Sequence, residues 1–474
     1  MGKYNKLGVN IITFLIGNMG SRLIQFLFIP LYTYWLTTYE YGIIDTVMIT
    51  VYLCTPFASL SIHDALLRYM LDKDSNRSKI YTISCIIGTI GSLLFLSSIL
   101  VFKHIEILKP YWIYFYVYMV ISVFFNIQLA YIRGLEQNKL YSALGIISTL
   151  LQAIGIVLFV GYFHYSIKGY LLAMIISYGL TLFLSIFITR SWRYFSITEI
   201  NKTDIKNMLA YSIPLVPNAI MWWIINSSDK YLILYYLSAE ENGLFAISTK
   251  IPMIINIVYQ IFLMAWQISV IEEHNKEGKE HFYHKIYTLI ISGLFLSASF
   301  IMIFIKPAVN TFLSTAYNEV WYYIPILLIS TIFACLAGFY GSFYVAFKRT
   351  KGVLKTSIVC AVINVIFNLL SIRYCGLWGV SLASFLSFFI LYIYRIYDTR
   401  KMVSIPSEKK LVFSNLIIVF IQILTIYLVN NYLSIILLSI LFVAAIIINR
   451  NIIKETTIMV KQLIHKNNHE KSTI

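Results

Sequence analysis

The chain has 474 residues, of which 59% are hydrophobic and only 12% charged. A soluble surface needs roughly twice that ionic share, which excludes a water-soluble globular protein and predicts an integral membrane protein. The 37 Lys and Arg outnumber the 21 Asp and Glu, giving +16. These charges sit in short loops between apolar runs, with no basic stripe interleaved with aromatics, so they signal membrane orientation and no nucleic acid.

Taken in chain order, the apolar runs predict fourteen spans of about 20 residues each. The first six are 9–36, 41–62, 80–102, 111–132, 141–163 and 169–189. A basic loop leads to 208–237, 243–271, 286–305, 321–347, 354–372 and 376–394. Two more, 411–427 and 433–448, precede a polar tail. None shows the alternating ten-residue pattern of a membrane barrel, so the fold is all-α. The first run is too long for a signal-peptide core and is expected to remain as a helix. The five cysteines lie in or beside apolar runs with no Cys-x-x-Cys spacing, which predicts neither disulfides nor a metal site.

With the N-terminus placed inside, inside segments carry 29 basic residues and outside loops carry 5. That asymmetry predicts an even number of spans with both termini in the cytoplasm. Arg22, Lys230 and Lys250 remain within spans.

The chain also repeats itself. Tyr34, Leu36, Glu40 and Gly42 recur as Tyr235, Leu237, Glu241 and Gly243, each 201 residues later. Gly169, Leu172, Ala173 and Ser177 recur as Gly379, Leu382, Ala383 and Ser387, each 210 later. Both sets fall at equivalent places in a six-span group, which predicts a duplication. The expected organisation is one six-helix lobe over 1–205, a second over 206–405, and two further helices with a basic cytoplasmic tail over 406–474. A repeat of even span number keeps both lobes in one orientation, with a central cavity between them.

Several motifs follow from this frame. Tyr-Ser-Ile-Pro-Leu-Val-Pro at 211–217 precedes Asn-Ser-Ser-Asp-Lys-Tyr at 226–231, Glu-Asn-Gly at 241–243 and Lys250. Ala-Leu-Leu-Arg-Tyr at 65–69, Tyr-Ile-Arg-Gly-Leu-Glu at 131–136 and Phe-Leu-Ser-Thr-Ala-Tyr-Asn-Glu-Val-Trp at 312–321 complete the set. Through these motifs the whole chain resembles the polysaccharide-flippase (Wzx-type) branch of the multidrug/oligosaccharidyl-lipid/polysaccharide exporter superfamily. The resemblance implies twelve core helices in two lobes, and export of an oligosaccharide linked to an undecaprenyl-diphosphate-type lipid by alternating access. It implies membrane lipids, a polysaccharide polymerase and other assembly proteins as partners, and the cytoplasmic membrane as the location.

Ionisable groups inside spans are costly and point to function. Arg22 lies near the middle of the first span, too deep for an easy snorkel, and its planar fork suits phosphate oxygens. A structural partner elsewhere in the bundle is the alternative. Lys230 and Lys250 flank one tight turn at similar depth, roughly 10 Å inside the outer end. They either snorkel outward or hold an anion, with Asp229 able to neutralise one of them. Asp45 maps by the 201 offset onto Ala246, one turn before Lys250, which suggests an acid and a base serving as a gate. Asp64 and Arg68 have i,i+4 spacing near the inner end of the second span. With Arg133, they are read as inner-surface anchors or latches and as lesser gating or coupling candidates. Pro30, Pro214 and Pro217 lie within spans, where they bend helices.

No residue set supports covalent chemistry, no phosphate loop encodes ATP hydrolysis, and no cofactor is called for. Three function classes remain. They are a lipid-linked oligosaccharide flippase (lipid II included), a cation-coupled multidrug exporter of the same fold, and a membrane polymerase or ligase. The basic set within the spans disfavours a cation exporter. The short outside loops disfavour a polymerase.

Overall fold

The computed structural model describes residues 24–71, 76–102, 104–197, 200–273, 278–347, 349–406, 408–429 and 431–454. Among them the regular structure is helical throughout. Eleven helices are long and apolar enough to cross a membrane. One of these, Lys351–Thr399, is broken at Gly376 (φ 54°, ψ −138°) and carries two spans. With the shorter apolar helix Tyr432–Ile448, thirteen membrane-length segments are described. Of the first predicted span, only 24–36 lies among the described residues.

The described residues fall into two compact units, divided between Ala246 and Ile247. The first unit contains α1 (Ile29–Trp35), α2 (Thr38–Ser59), α3 (Ile62–Met70), α4 (Arg77–Phe95), α5 (Trp112–Gly134), α6 (Asn138–Ile156), α7 (Ser166–Thr189), α8 (Lys202–Ser212) and α9 (Leu215–Tyr236). α10 (Ala239–Ser248) begins in this unit and runs into the second. The second unit continues with α11 (Lys250–Glu273), α12 (Lys279–Phe312), α13 (Ile324–Ala346), α14 (Thr350–Thr399), α15 (Lys409–Leu428) and α16 (Asn431–Ile448).

Local chemistry sets the helix ends. Thr37 and Glu40 form a capping box at the start of α2: the Thr37 hydroxyl accepts from the Glu40 N–H at 3.2 Å, and Glu40 Oε2 accepts from the Thr37 N–H at 2.9 Å. Asn76 and Asn201 cap α4 and α8 through their side-chain oxygens. The prolines act where the sequence places them. Pro30 opens α1, and Pro214 separates α8 from α9, splitting what reads as one apolar run.

In the first unit α2 is enclosed, with every side chain from Tyr41 to Val51 buried. Its neighbours include a tyrosine cluster in which Tyr32 stacks on Tyr41 and meets Tyr170 edge-on. In the second unit Trp266 is fully buried against Phe339, Phe343 and Tyr283, fixing α11, α12 and α13 together.

Candidate functional site: an ion pair between α2 and α9

Gly42, Asp45, Thr46, Ile49 and Thr50 share one face of α2. Trp223, Lys230 and Tyr231 share a face of α9 at spacings of seven and eight. The two faces meet. Lys230 Nζ lies 2.9 Å from Asp45 Oδ1 and 2.8 Å from Oδ2. The pair is largely sealed, with side-chain exposures of 13% for Lys230 and 9% for Asp45. Asp45 is seven residues into α2 and Lys230 six from the end of α9, so both sit about 10 Å inside their helix ends. Trp223 Nε1 donates to the Ile49 carbonyl at 2.8 Å, and the Tyr231 and Thr50 hydroxyls are hydrogen-bonded to each other.

A third strand of contacts closes the seam from α10. Asn242 Nδ2, wholly buried, donates to the Gly42 carbonyl at 3.0 Å and to Thr46 Oγ1 at 3.1 Å. A Cβ on Gly42 would lie 1.9 Å from the Ala239 carbonyl oxygen, and one on Gly243 would lie 1.9 Å from that of Thr38. Residues 38 and 42 thus meet 239 and 243 reciprocally, with the 201 offset intact. At the first of the two repeated sets the structure holds a local two-fold crossing of two helix N-termini. The ion pair departs from it, because the positions equivalent to Lys230 and Asp45 are Ile29 and Ala246.

The other candidates are distributed as follows. The carboxylate that neutralises Lys230 is Asp45, from another helix, while Asp229 is buried on α9 with interactions of its own. Lys250 opens α11 and is half-buried. Asp64 is half-exposed, 3.7 Å from His63 Nε2. Burial holds the His63 imidazole below its usual range, and Asp64 opposes that shift. Arg68 is exposed on α3; Arg133, also exposed, covers the Tyr141 ring at 5.5 Å. Arg22 lies outside the described residues.

One buried cation escapes sequence reasoning. Arg395 is 4% exposed. It donates through Nη1 to the Ala337 carbonyl at 2.9 Å, through Nε to Thr356 at 3.2 Å and through Nη2 to Ser357 at 3.2 Å. It follows Tyr394, where the apolar run ends, and so reads as a loop residue. The helix continues to Thr399 and carries it inside. The space it fills is kept open by Gly341, whose added Cβ would lie 2.8 Å from Nη1.

The seam brings a buried ammonium to a membrane helix without metal ligands, and no group of three metal-ligating side chains occurs among the described residues. Against this geometry, the family model described as polysaccharide biosynthesis protein matches residues 7–267, more than half the chain. The chain belongs to the polysaccharide biosynthesis protein family. Its fold is similar to that of solved membrane transporters. It is similar to the lipid II flippase MurJ in an inward closed conformation, at TM-score 0.70 and 15% identity over 93% of this chain and all of that one. It is similar to a Vibrio cholerae MATE transporter, VcmN, at TM-score 0.59 and 12% identity over 85% of this chain and 98% of that one. A superfamily transporter from Pyrococcus furiosus aligns at TM-score 0.58 and 13% identity, covering 84% and 96%. No curated protein matches the sequence.

Proposed function

We propose that this protein is a flippase, not an enzyme, that moves isoprenoid-diphosphate-linked oligosaccharide repeat units across the cytoplasmic membrane by alternating access for surface polysaccharide synthesis. The observation that carries the reading is membership of a polysaccharide biosynthesis family on a transporter fold. The chemistry of the spans supports it. A cation exporter would favour unpaired acids in its spans, whereas here the acid Asp45 is already occupied by Lys230. Lys230 is the group to which an anionic substrate would offer a second partner, with Asp45 receiving the competition. In this proposal Arg22 and Lys250 join it in holding the diphosphate, Arg22 through a bidentate fork, and Asp229 tunes their charge. Asp45, Asp64, Arg68 and Arg133 serve gating or coupling, and both termini face the cytoplasm.

Deleting the gene and complementing it tests the reading. Loss of the protein should leave lipid-linked repeat units on the inner leaflet and remove the surface glycan. Complementation with Arg22→Lys should restore only part of the glycan, and Arg22→Ala none, at unchanged membrane abundance. If the glycan persists in the deletion strain while sensitivity to cationic drugs rises, the exporter reading replaces this one.

A further inference from the structure

In the second unit α12, α15 and α16 enclose a cavity of about 200 Å³ at the end of the bundle where α12 finishes and α15 hands over to α16. Its lining changes along the helices. Met302, Ile303 and Leu438 are apolar and lie further from the ends of α12 and α16 that meet there, while Lys306, Asn310 and Ser434 lie nearer those ends. At 1.5 Å per residue Lys306 is about 9 Å below the end of α12, and Met302 about 15 Å below it. Lysines at such a depth normally reach for water. Lys306 instead lies over the Trp321 ring, 4.3 Å from its centroid. Trp321 is stacked on Tyr322 at 3.8 Å, and Tyr427 closes the aromatic group. The aromatics therefore fix the ammonium at the cavity wall, and among the described residues no carboxylate pairs with it.

A single fixed cation at interfacial depth, beside an apolar lining, is the complement of a phosphate group attached to an acyl chain. We propose that this cavity binds a glycerophospholipid with a singly charged phosphodiester head group. The phosphate rests on Lys306 and Asn310, and the first carbons of one chain cover Met302, Ile303 and Leu438. Charge selects this source of phosphate over an isoprenoid diphosphate. One ammonium balances one phosphodiester charge, whereas a diphosphate would keep surplus charge in a low-dielectric wall. Size agrees. The cavity is smaller than the roughly 300–1,000 Å³ that encloses a whole drug-sized ligand, so the rest of the lipid must lie outside it. Ile435, which lines the cavity, also borders an open apolar face of α16 with Ile436, Ile440 and Val443, which offers the surface for that. Bound there, the lipid braces the last two helices against α12.

Native mass spectrometry of the purified full chain, delipidated in detergent and titrated with phosphatidylglycerol, tests the proposal without any transport assay. The wild type should retain one phosphatidylglycerol at concentrations where phosphatidylcholine is lost. Lys306→Met should weaken that retention about tenfold, as expected for loss of a charge-assisted contact. Lys306→Arg should preserve it, and Lys109→Met, an exposed lysine elsewhere, should leave it unchanged. Equal retention of phosphatidylcholine, equal retention by Lys306→Met, or displacement by an equimolar C20 isoprenoid diphosphate would each overturn it. If Lys306→Met misfolds, Asn310→Leu is the second variant, with the same expected loss and the same overturning result.

Discussion

Lys230 and Asp45 neutralise one another where little of either side chain is exposed. Removing one partner of such a pair leaves an uncompensated charge, which typically costs about 3–5 kcal/mol. Asp45→Asn and Lys230→Met should therefore each lower the unfolding temperature of the purified protein sharply. The double variant should lose much less than the sum, because it removes both charges. Additive losses in this cycle would mean that the pair is uncoupled. The individual residues were legible in the sequence as ionisable groups inside apolar runs. Their pairing was not, because sequence gives depth along a helix but not which neighbour its face meets. For Arg395 even the depth was hidden, since it follows the end of the apolar run and the three neutral acceptors that hold it come from distant residues.

At the scale of helices, three glycines make different demands. Gly42 lies against backbone: a Cβ would stand 1.9 Å from the Ala239 carbonyl oxygen, which cannot yield as a flexible side chain would. Gly42→Ala should cost at least the about 1–3 kcal/mol of ordinary overpacking and open the α2–α10 crossing. Gly376 has open space around it but a backbone conformation (φ 54°, ψ −138°) that only glycine adopts readily. Gly376→Ala should cost about 1–3 kcal/mol through backbone strain alone. Gly293 is helical with nothing near it, so Gly293→Ala should gain about 0.5–1 kcal/mol. Thermal unfolding of the three variants side by side checks the ranking. A harmless Gly42→Ala would refute the close crossing. The repeat containing Gly42 and Gly243 was visible in the sequence because the contact constrains residue type on both sides. The break at Pro214 was legible only as a bend, since the flanking residues are apolar enough to read as one continuous span.

Across the whole molecule, hydropathy recovers the helices because each span must satisfy its backbone internally and present apolar side chains to lipid. Thirteen membrane-length segments are described, and the sequence places the fourteenth at 9–36. Which side each loop faces is a separate question, answered by basic residues rather than by helix geometry. With fourteen spans, 29 loop and terminal basics fall on one side and 5 on the other; with one span fewer, every loop after the error would change sides and the asymmetry would collapse. Fusions of paired reporters, one active only outside the membrane and one only inside, measure this directly. The first junction belongs after Tyr39 in the first turn of α2. The second belongs after Ser314, because α12 runs to Phe312, past the apolar limit read from the sequence. The third follows Ile474. The expected readings are outside, outside and inside. An outside reading at Ile474 with the first two as expected would mean an even number of spans after residue 314, where five are expected, and would move the basic tail to the side that the rest of the chain keeps nearly free of lysine and arginine.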